Sequence, residues 1–141
     1  MIVIVSRYLI PKGFRGITLF PFIIISKSDF KPNSVVINHE KIHIRQQLEL
    51  LILPFFIWYG IEFLIKYMIF KDKHTAYRNI SFEREAYENE KDFNYLKKRS
   101  FWRFFEYMYW AKGQYYFSLK KMTNCILIVT FVINIFYIFV N

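Results

Sequence analysis

The 141-residue sequence is poor in the residues that punctuate or cross-link a chain, with one cysteine, four glycines and four prolines. A single cysteine excludes a disulfide framework, and so little glycine and proline excludes collagen-like and linker-like polymers. Cys125 lies in an apolar run and reads as a small buried hydrophobe. Charged residues are scarce at 22%, and acidic ones scarcer, with 11 Asp and Glu against 20 Lys and Arg and a net charge of +9. Apolar surface is what the chain has in excess: 55% of residues are hydrophobic and 22% aromatic. Disordered chains are short of aromatics, so that class is excluded. A single domain of this length cannot hide so many large side chains, which argues against an ordinary soluble protein. The positive charge suits an anionic membrane surface. Nucleic acid is not expected as a partner, because the basic residues are dispersed among long apolar runs and match no recognised module.

The expected fold is α+β and mostly helical. Met1–Val5 and Ile17–Ser26 read as strands, with Pro11, Lys12, Gly13, Arg15 and Gly16 supplying turn chemistry for a hairpin between them. Pro21 places the second strand at a sheet edge. The N-terminus lacks the basic region and longer apolar stretch of a secretory signal, so no cleavage or export by that route is expected. Asn33 or Ser34 caps a helix running to about Leu53. Leu48–Phe70 is long enough to cross a bilayer, with only Glu49, Glu62 and Lys66 as charges and with Pro54 and Gly60 as interruptions. Lys71–Asn79 reads as a loop and Ser81–Arg99 as one charged helix. Phe101–Phe117, with ten aromatics, resembles an interfacial helix, and Cys125–Val140 forms a final apolar membrane helix. The expected division is therefore a catalytic domain over residues 1–100, with a membrane-inserted segment at 48–70, and a membrane-associated part over 101–141.

The strongest chemical signal is His39-Glu40-Lys41-Ile42-His43, an H-E-x-x-H pattern inside a predicted helix. Residues i and i+4 project from one helix face, so two imidazoles can share one Zn²⁺ while Glu40 stands beside the metal-bound water. Zinc lowers the pKa of that water and the glutamate takes its proton as general base. A third ligand is needed, and Ser81-Phe82-Glu83-Arg84-Glu85-Ala86-Tyr87 offers carboxylates. Glu83 and Glu85 are rivals. They stand about 200° apart on a helix, so only one can face the site.

An H-E-x-x-H helix followed by a second helix bearing a glutamate ligand resembles the gluzincin metallopeptidases. In motif order the chain is similar to the integral-membrane CAAX-type proteases, which carry a membrane segment between the two motifs. The resemblance covers roughly residues 34–90. Matching Ala86 to the alanine of the family's E-x-x-A-D motif implies Glu83 as the zinc ligand and puts Tyr87 where the family has its aspartate. His39-Glu40-x-x-His43-x-x-Gln46-Gln47 also resembles a pattern seen in some uncharacterised putative metallopeptidases. Gln46 and Gln47 read as helix-surface residues or as supports for the ligands. His74 is a loop histidine or an oxyanion-stabilising group, with Tyr77 and Tyr87 as alternatives for that role.

Zinc constrains topology. A single crossing by Leu48–Phe70 would leave His43 and Glu83 on opposite faces of the membrane, so the chain is expected to reverse between Pro54 and Gly60. Residues 1–47 hold seven Lys and Arg and residues 71–121 hold twelve, which places both flanks in the cytoplasm. The expected protein is a zinc metallopeptidase of the inner (cytoplasmic) membrane, with its site facing the cytoplasm, membrane lipid around it and a protein or peptide as substrate. Resemblance to gluzincins implies that the substrate strand lies along the Ile17–Ser26 edge. A non-catalytic membrane subunit that keeps a zincin-like fold as an interaction surface is the alternative, with oligomeric or complex partners.

Overall fold

A computed structural model describes residues 1–6, 8–11, 13–26 and 34–108. Three short strands form a mixed sheet in the order β1-β3-β2, comprising β1 (Ile2–Val5), β2 (Gly16–Leu19) and β3 (Phe22–Ile25). Helices make up most of the rest, so the fold is α+β and mainly helical.

The strand pairing differs from the expected hairpin. Phe20 and Pro21 form a turn that divides the Ile17–Ser26 run, so the hairpin is β2 with β3, and β1 pairs in parallel with β3 (Ile2 opposite Phe22). Pro21 sits in that turn, where its missing N–H breaks no ladder bond. Ile23 and Ile25 point to one face of β3 and are fully buried against Val36 and Ile37 of the first helix.

Helix α1 (Val35–Glu49) begins where the Ser34 side chain accepts a hydrogen bond from Ile37 N at 3.1 Å, a standard N-cap. It ends four residues earlier than expected. Leu51 and Ile52 both have φ of 57°, a positive-φ corner that no glycine announces. The break between the two helices therefore lies at residues 50–52, ahead of Pro54 and not between Pro54 and Gly60. Helix α2 (Leu53–Phe70) carries Pro54 in its first turn, where the lost N–H is harmless, and passes through Gly60 unbroken. Residues 71–79 are not a loop: Asp72 accepts from Thr75 N at 2.7 Å and caps α3 (Lys73–Arg78). The charged stretch that follows is divided into α4 (Ser81–Asn89) and α5 (Tyr95–Lys98), with a 3₁₀ helix at Arg103–Tyr107. That short helix is the described part of the predicted Phe101–Phe117 element. The remainder of that element and Cys125–Val140 lie outside the described residues.

Side chains from other elements hold these helices in place. Helix α4 has no cap from its own N-cap residue, Ile80. Glu62 of α2 serves instead, accepting from Ser81 N at 2.9 Å and Ser81 Oγ at 2.6 Å, with Lys66 Nζ 4.0 Å away. Leu50, Phe55, Ile80, Phe82 and Phe104 pack as one buried cluster at the α1–α2 corner. Ile42 packs with Ala86 and Tyr95 on the other flank, which sets α4 against α1. Arg99, almost wholly buried, bridges the carboxylates of Glu49 and Glu85. The Trp102 amide donates to Glu49 at 3.2 Å.

Candidate metal centre

The buried face of α1 is polar where a helix of this kind is usually apolar: Asn38, His39, Glu40, His43, Gln46 and Gln47 all point inward. His39 and His43 lie one turn apart, as their spacing requires, their rings edge to face and their Nε2 atoms 3.1 Å from each other. Glu83, in the first turn of α4, closes the group. Its Oε2 lies 3.5 Å from His39 Nε2 and its Oε1 3.3 Å from His43 Nε2. The three side chains are buried, their donor atoms fall within 4.8 Å of one another, and together they can hold a metal ion.

The outer nitrogens fix the tautomers. His39 Nδ1 lies 2.9 Å from Glu90 Oε2, and a carboxylate there only accepts. His43 Nδ1 lies 2.8 Å from Gln46 Oε1. The Gln46 amide cannot be turned round, because its nitrogen already donates to Phe82 O at 3.2 Å and Glu85 Oε2 at 3.0 Å. Each neutral imidazole therefore carries its proton on Nδ1 and presents a lone pair at Nε2. Two lone pairs thus face each other beside a carboxylate, and Glu83 Oε2 is buried with no hydrogen bond. Such a group calls for a cation. Ligand bonds of ~2.0–2.1 Å in a tetrahedral set put donor atoms about 3.3–3.4 Å apart, close to the 3.1 Å between the two imidazole nitrogens and to the 3.5 and 3.3 Å at which each approaches a different oxygen of Glu83.

The electrostatics of the group agree with that reading. Burial pushes His43 down, but the charge and hydrogen bond of Glu83, helped by Glu40 and Gln46, outweigh it and hold the imidazole up at about 9. Burial pushes the Glu83 carboxyl up, yet the two imidazoles, His43 above all, hold it well below the usual carboxylate range. With no metal present, the site is built to take a proton.

A cavity of about 200 Å³ adjoins the cluster. Glu40, His43 and Glu83 line it on one side, Gly16–Thr18 of β2 on another, and Phe55, Phe56, Tyr59 and Tyr77 on a third. Glu40 is set by β2: Thr18 Oγ1 donates to its Oε2 at 2.5 Å, and a Cβ on Gly16 would lie 2.6 Å from its Oε1. Gln47 donates to Thr18 O at 2.9 Å and accepts from Phe20 N at 2.8 Å, so its amide closes one end of the β2 edge. Ladder alternation turns the same side of Gly16 and Thr18 away from β3, and there the Thr18 carbonyl is taken by Gln47.

Glu83 thus joins the two histidines. Glu85 points elsewhere, to Gln46, Tyr95 and Arg99. His74 is exposed in the first turn of α3 and does not line the cavity, whereas Tyr77 does. Burial and the Glu83 charge raise the Tyr77 hydroxyl far above its ordinary value, so it stays protonated. Tyr87 packs its ring 4.6 Å from His39, under the Arg78 guanidinium. Three supports went unnoticed in the sequence. Glu90 sits two helical turns beyond Glu83, a spacing that was there to be read. Tyr59 donates to Glu83 Oε1 at 2.8 Å, with nothing to distinguish it among eleven tyrosines. Gly16 looked like a turn residue and is in fact the point of closest approach to Glu40.

Comparison with protein-family models, with curated proteins and with solved structures found no match to this chain. The site's chemistry therefore rests on its own geometry.

Proposed function

We propose that this protein is a membrane-associated zinc metallopeptidase, with His39, His43 and Glu83 as ligands and Glu40 as general base. The observation that carries the proposal is the pair of Nε2 lone pairs facing a buried carboxylate, with Glu40 beside the same cavity. Zinc bound there supplies Lewis acidity, polarising a carbonyl and lowering the pKa of water. Glu40, oriented by Thr18, takes the proton of the attacking water and delivers it to the leaving amine. Tyr77, protonated at the cavity wall, donates to the developing oxyanion in place of His74. An extended peptide pairs with the main chain of Gly16 at the β2 edge, up to Thr18, whose carbonyl Gln47 already holds. Glu90 and Gln46 keep both imidazoles in the tautomer that binds metal. Helix α2 is long and apolar enough to cross a membrane. The basic residues on both sides of it favour a cytoplasmic site at the inner membrane.

The test is zinc content together with peptidase activity in wild type and Glu40→Gln. The proposal expects about one zinc per chain in both, with activity only in the wild type. A wild-type protein that takes up no zinc when it is supplied at neutral pH overturns it. Equal activity in the two proteins removes Glu40 from the mechanism.

A further inference from the structure

Helix α2 is built inside out. Its charged residues Glu62 and Lys66 are 8% and 5% exposed, while Leu53, Ile57, Leu64 and Met68 are 69%, 55%, 57% and 57% exposed. Helical geometry explains the division. Phe55, Tyr59, Glu62 and Lys66 fall within about 60° of one another on one side, and Leu53, Ile57, Leu64 and Met68 lie opposite. The apolar side continues at the α1–α2 corner into Leu48 and Leu51, both exposed, and ends at Lys71, whose ammonium can reach outward from the same side. A protein in water does not display such a stripe unless something apolar covers it.

From this we infer that α2 lies in the plane of the membrane surface, with the Leu53–Ile57–Leu64–Met68 stripe in the acyl region and its length parallel to the bilayer. The inference rests on the membrane association proposed above and is independent of the peptidase chemistry. The inner side of α2 decides between lying and crossing. Its middle holds Tyr59, bonded to Glu83, and Glu62, bonded to Ser81. Tyr77 of α3 packs with Tyr59 against the same buried cluster, and Arg78 beside it is exposed, as are Lys73 and His74. If α2 crossed, its middle would sit at mid-bilayer and carry Arg78 there with it. Charges at that depth are costly and are found facing protein or water. With α2 in the plane, every one of these groups stays on the aqueous side and only the stripe enters lipid. The net charge of +9 favours anionic headgroups over a second copy of this equally basic chain. Phe56, partly exposed on the flank of the stripe, also lines the cavity, so the cavity borders the headgroup layer.

The experiment uses the full chain with Cys125→Ser and four single substitutions, Leu53→Cys, Ile57→Cys, Leu64→Cys and Met68→Cys, each carrying a nitroxide. Depth is read from relaxation by oxygen and by a water-soluble nickel chelate on vesicles of phosphatidylcholine and phosphatidylglycerol in equal parts. The expected result is lipid exposure at all four sites with one common depth. Graded depths spanning ~16 Å between residues 57 and 68 would mean that α2 crosses, and would overturn the in-plane reading while leaving membrane association intact. Sites shielded from both relaxants would mean that protein covers the stripe, which also overturns it. Protein that fails to sediment with vesicles overturns the membrane association itself. Zinc content of the same variants reports separately on the metal reading.

Discussion

His39 Nε2 and His43 Nε2 lie 3.1 Å apart while both outer nitrogens are already committed, one to Glu90 and the other to Gln46. Two unprotonated nitrogens at that distance repel unless a cation sits between them. Removing either imidazole, or replacing Glu83 with Gln, should abolish stoichiometric zinc binding as measured by metal analysis after gel filtration. In wild type, zinc at one hundred times its dissociation constant should stabilise the fold by about 2.7 kcal/mol, seen as a higher unfolding midpoint. That gain should vanish in His43→Ala.

The grouping of His39, His43 and Glu83, which could hold a metal ion, was legible because its signals are local. A period of 3.6 brings residues four apart onto one face, and a first-turn glutamate on the next helix is visible as such. Connections between elements were not legible. Nothing at Leu51 and Ile52 resembles a corner, while Pro54 and Gly60 resemble one and lie within a continuous helix. The parallel pairing of β1 with β3 is a non-local choice, set by burial of Ile23 and Ile25 against α1. Glu62 capping α4 from 19 residues away is likewise invisible to any short pattern.

The supports of the imidazoles should matter nearly as much as the ligands. Gln46→Leu removes the acceptor from His43 Nδ1 and takes one donor each from Phe82 O and Glu85 Oε2, the latter keeping Arg99. Glu90→Ala frees the His39 ring. Each should weaken zinc affinity roughly 10- to 100-fold in competition with a chromophoric chelator. An unchanged affinity in both would show that the rings are held by packing alone.

Proton and metal compete for the same site, which gives opposite pH dependences. In metal-free protein His43 titrates at about 9, above its ordinary 6.5. The folded state then holds a proton that the unfolded chain releases. This contribution is fully present below pH 6.5 and is lost as pH rises through about 9, on the order of a few kcal/mol. Denaturant midpoints in chelator should therefore fall across that window. Apparent zinc affinity should rise across it, because binding must displace the proton. A flat apo profile together with a pH-independent affinity would contradict the pairing of His43 with Glu83.

Arg99 is nearly inaccessible and serves both Glu49 and Glu85. Truncating it to Ala removes the buried cation that both carboxylates share, leaving Glu49 with Arg45 and the Trp102 amide and Glu85 with Gln46 and Tyr95, a loss of about 3 kcal/mol by denaturant unfolding. Because Glu85 also orients Gln46, zinc affinity should fall in the same variant.

Gly16→Ala tests the link between the sheet and the chemistry. An added Cβ would lie 2.6 Å from Glu40 Oε1 and 3.1 Å from its Cδ, so the carboxylate must move. The backbone of Gly16 is not in a left-handed conformation, so the substitution adds bulk and no dihedral strain. Thr18 holds the other carboxylate oxygen, and a displaced Glu40 therefore gives up that hydrogen bond or pushes β2 away from α1. Crowding of this kind costs about 1–3 kcal/mol of stability. The three proposed zinc ligands are untouched, so on the proposed function metal content should remain near one per chain while peptidase activity falls at least about 100-fold, in the range for removing a positioned general base. Gly16→Ala protein with full activity would mean that Glu40 works from a position other than the one β2 imposes. Loss of zinc together with activity would mean that the strand supports the ligands as well as the base.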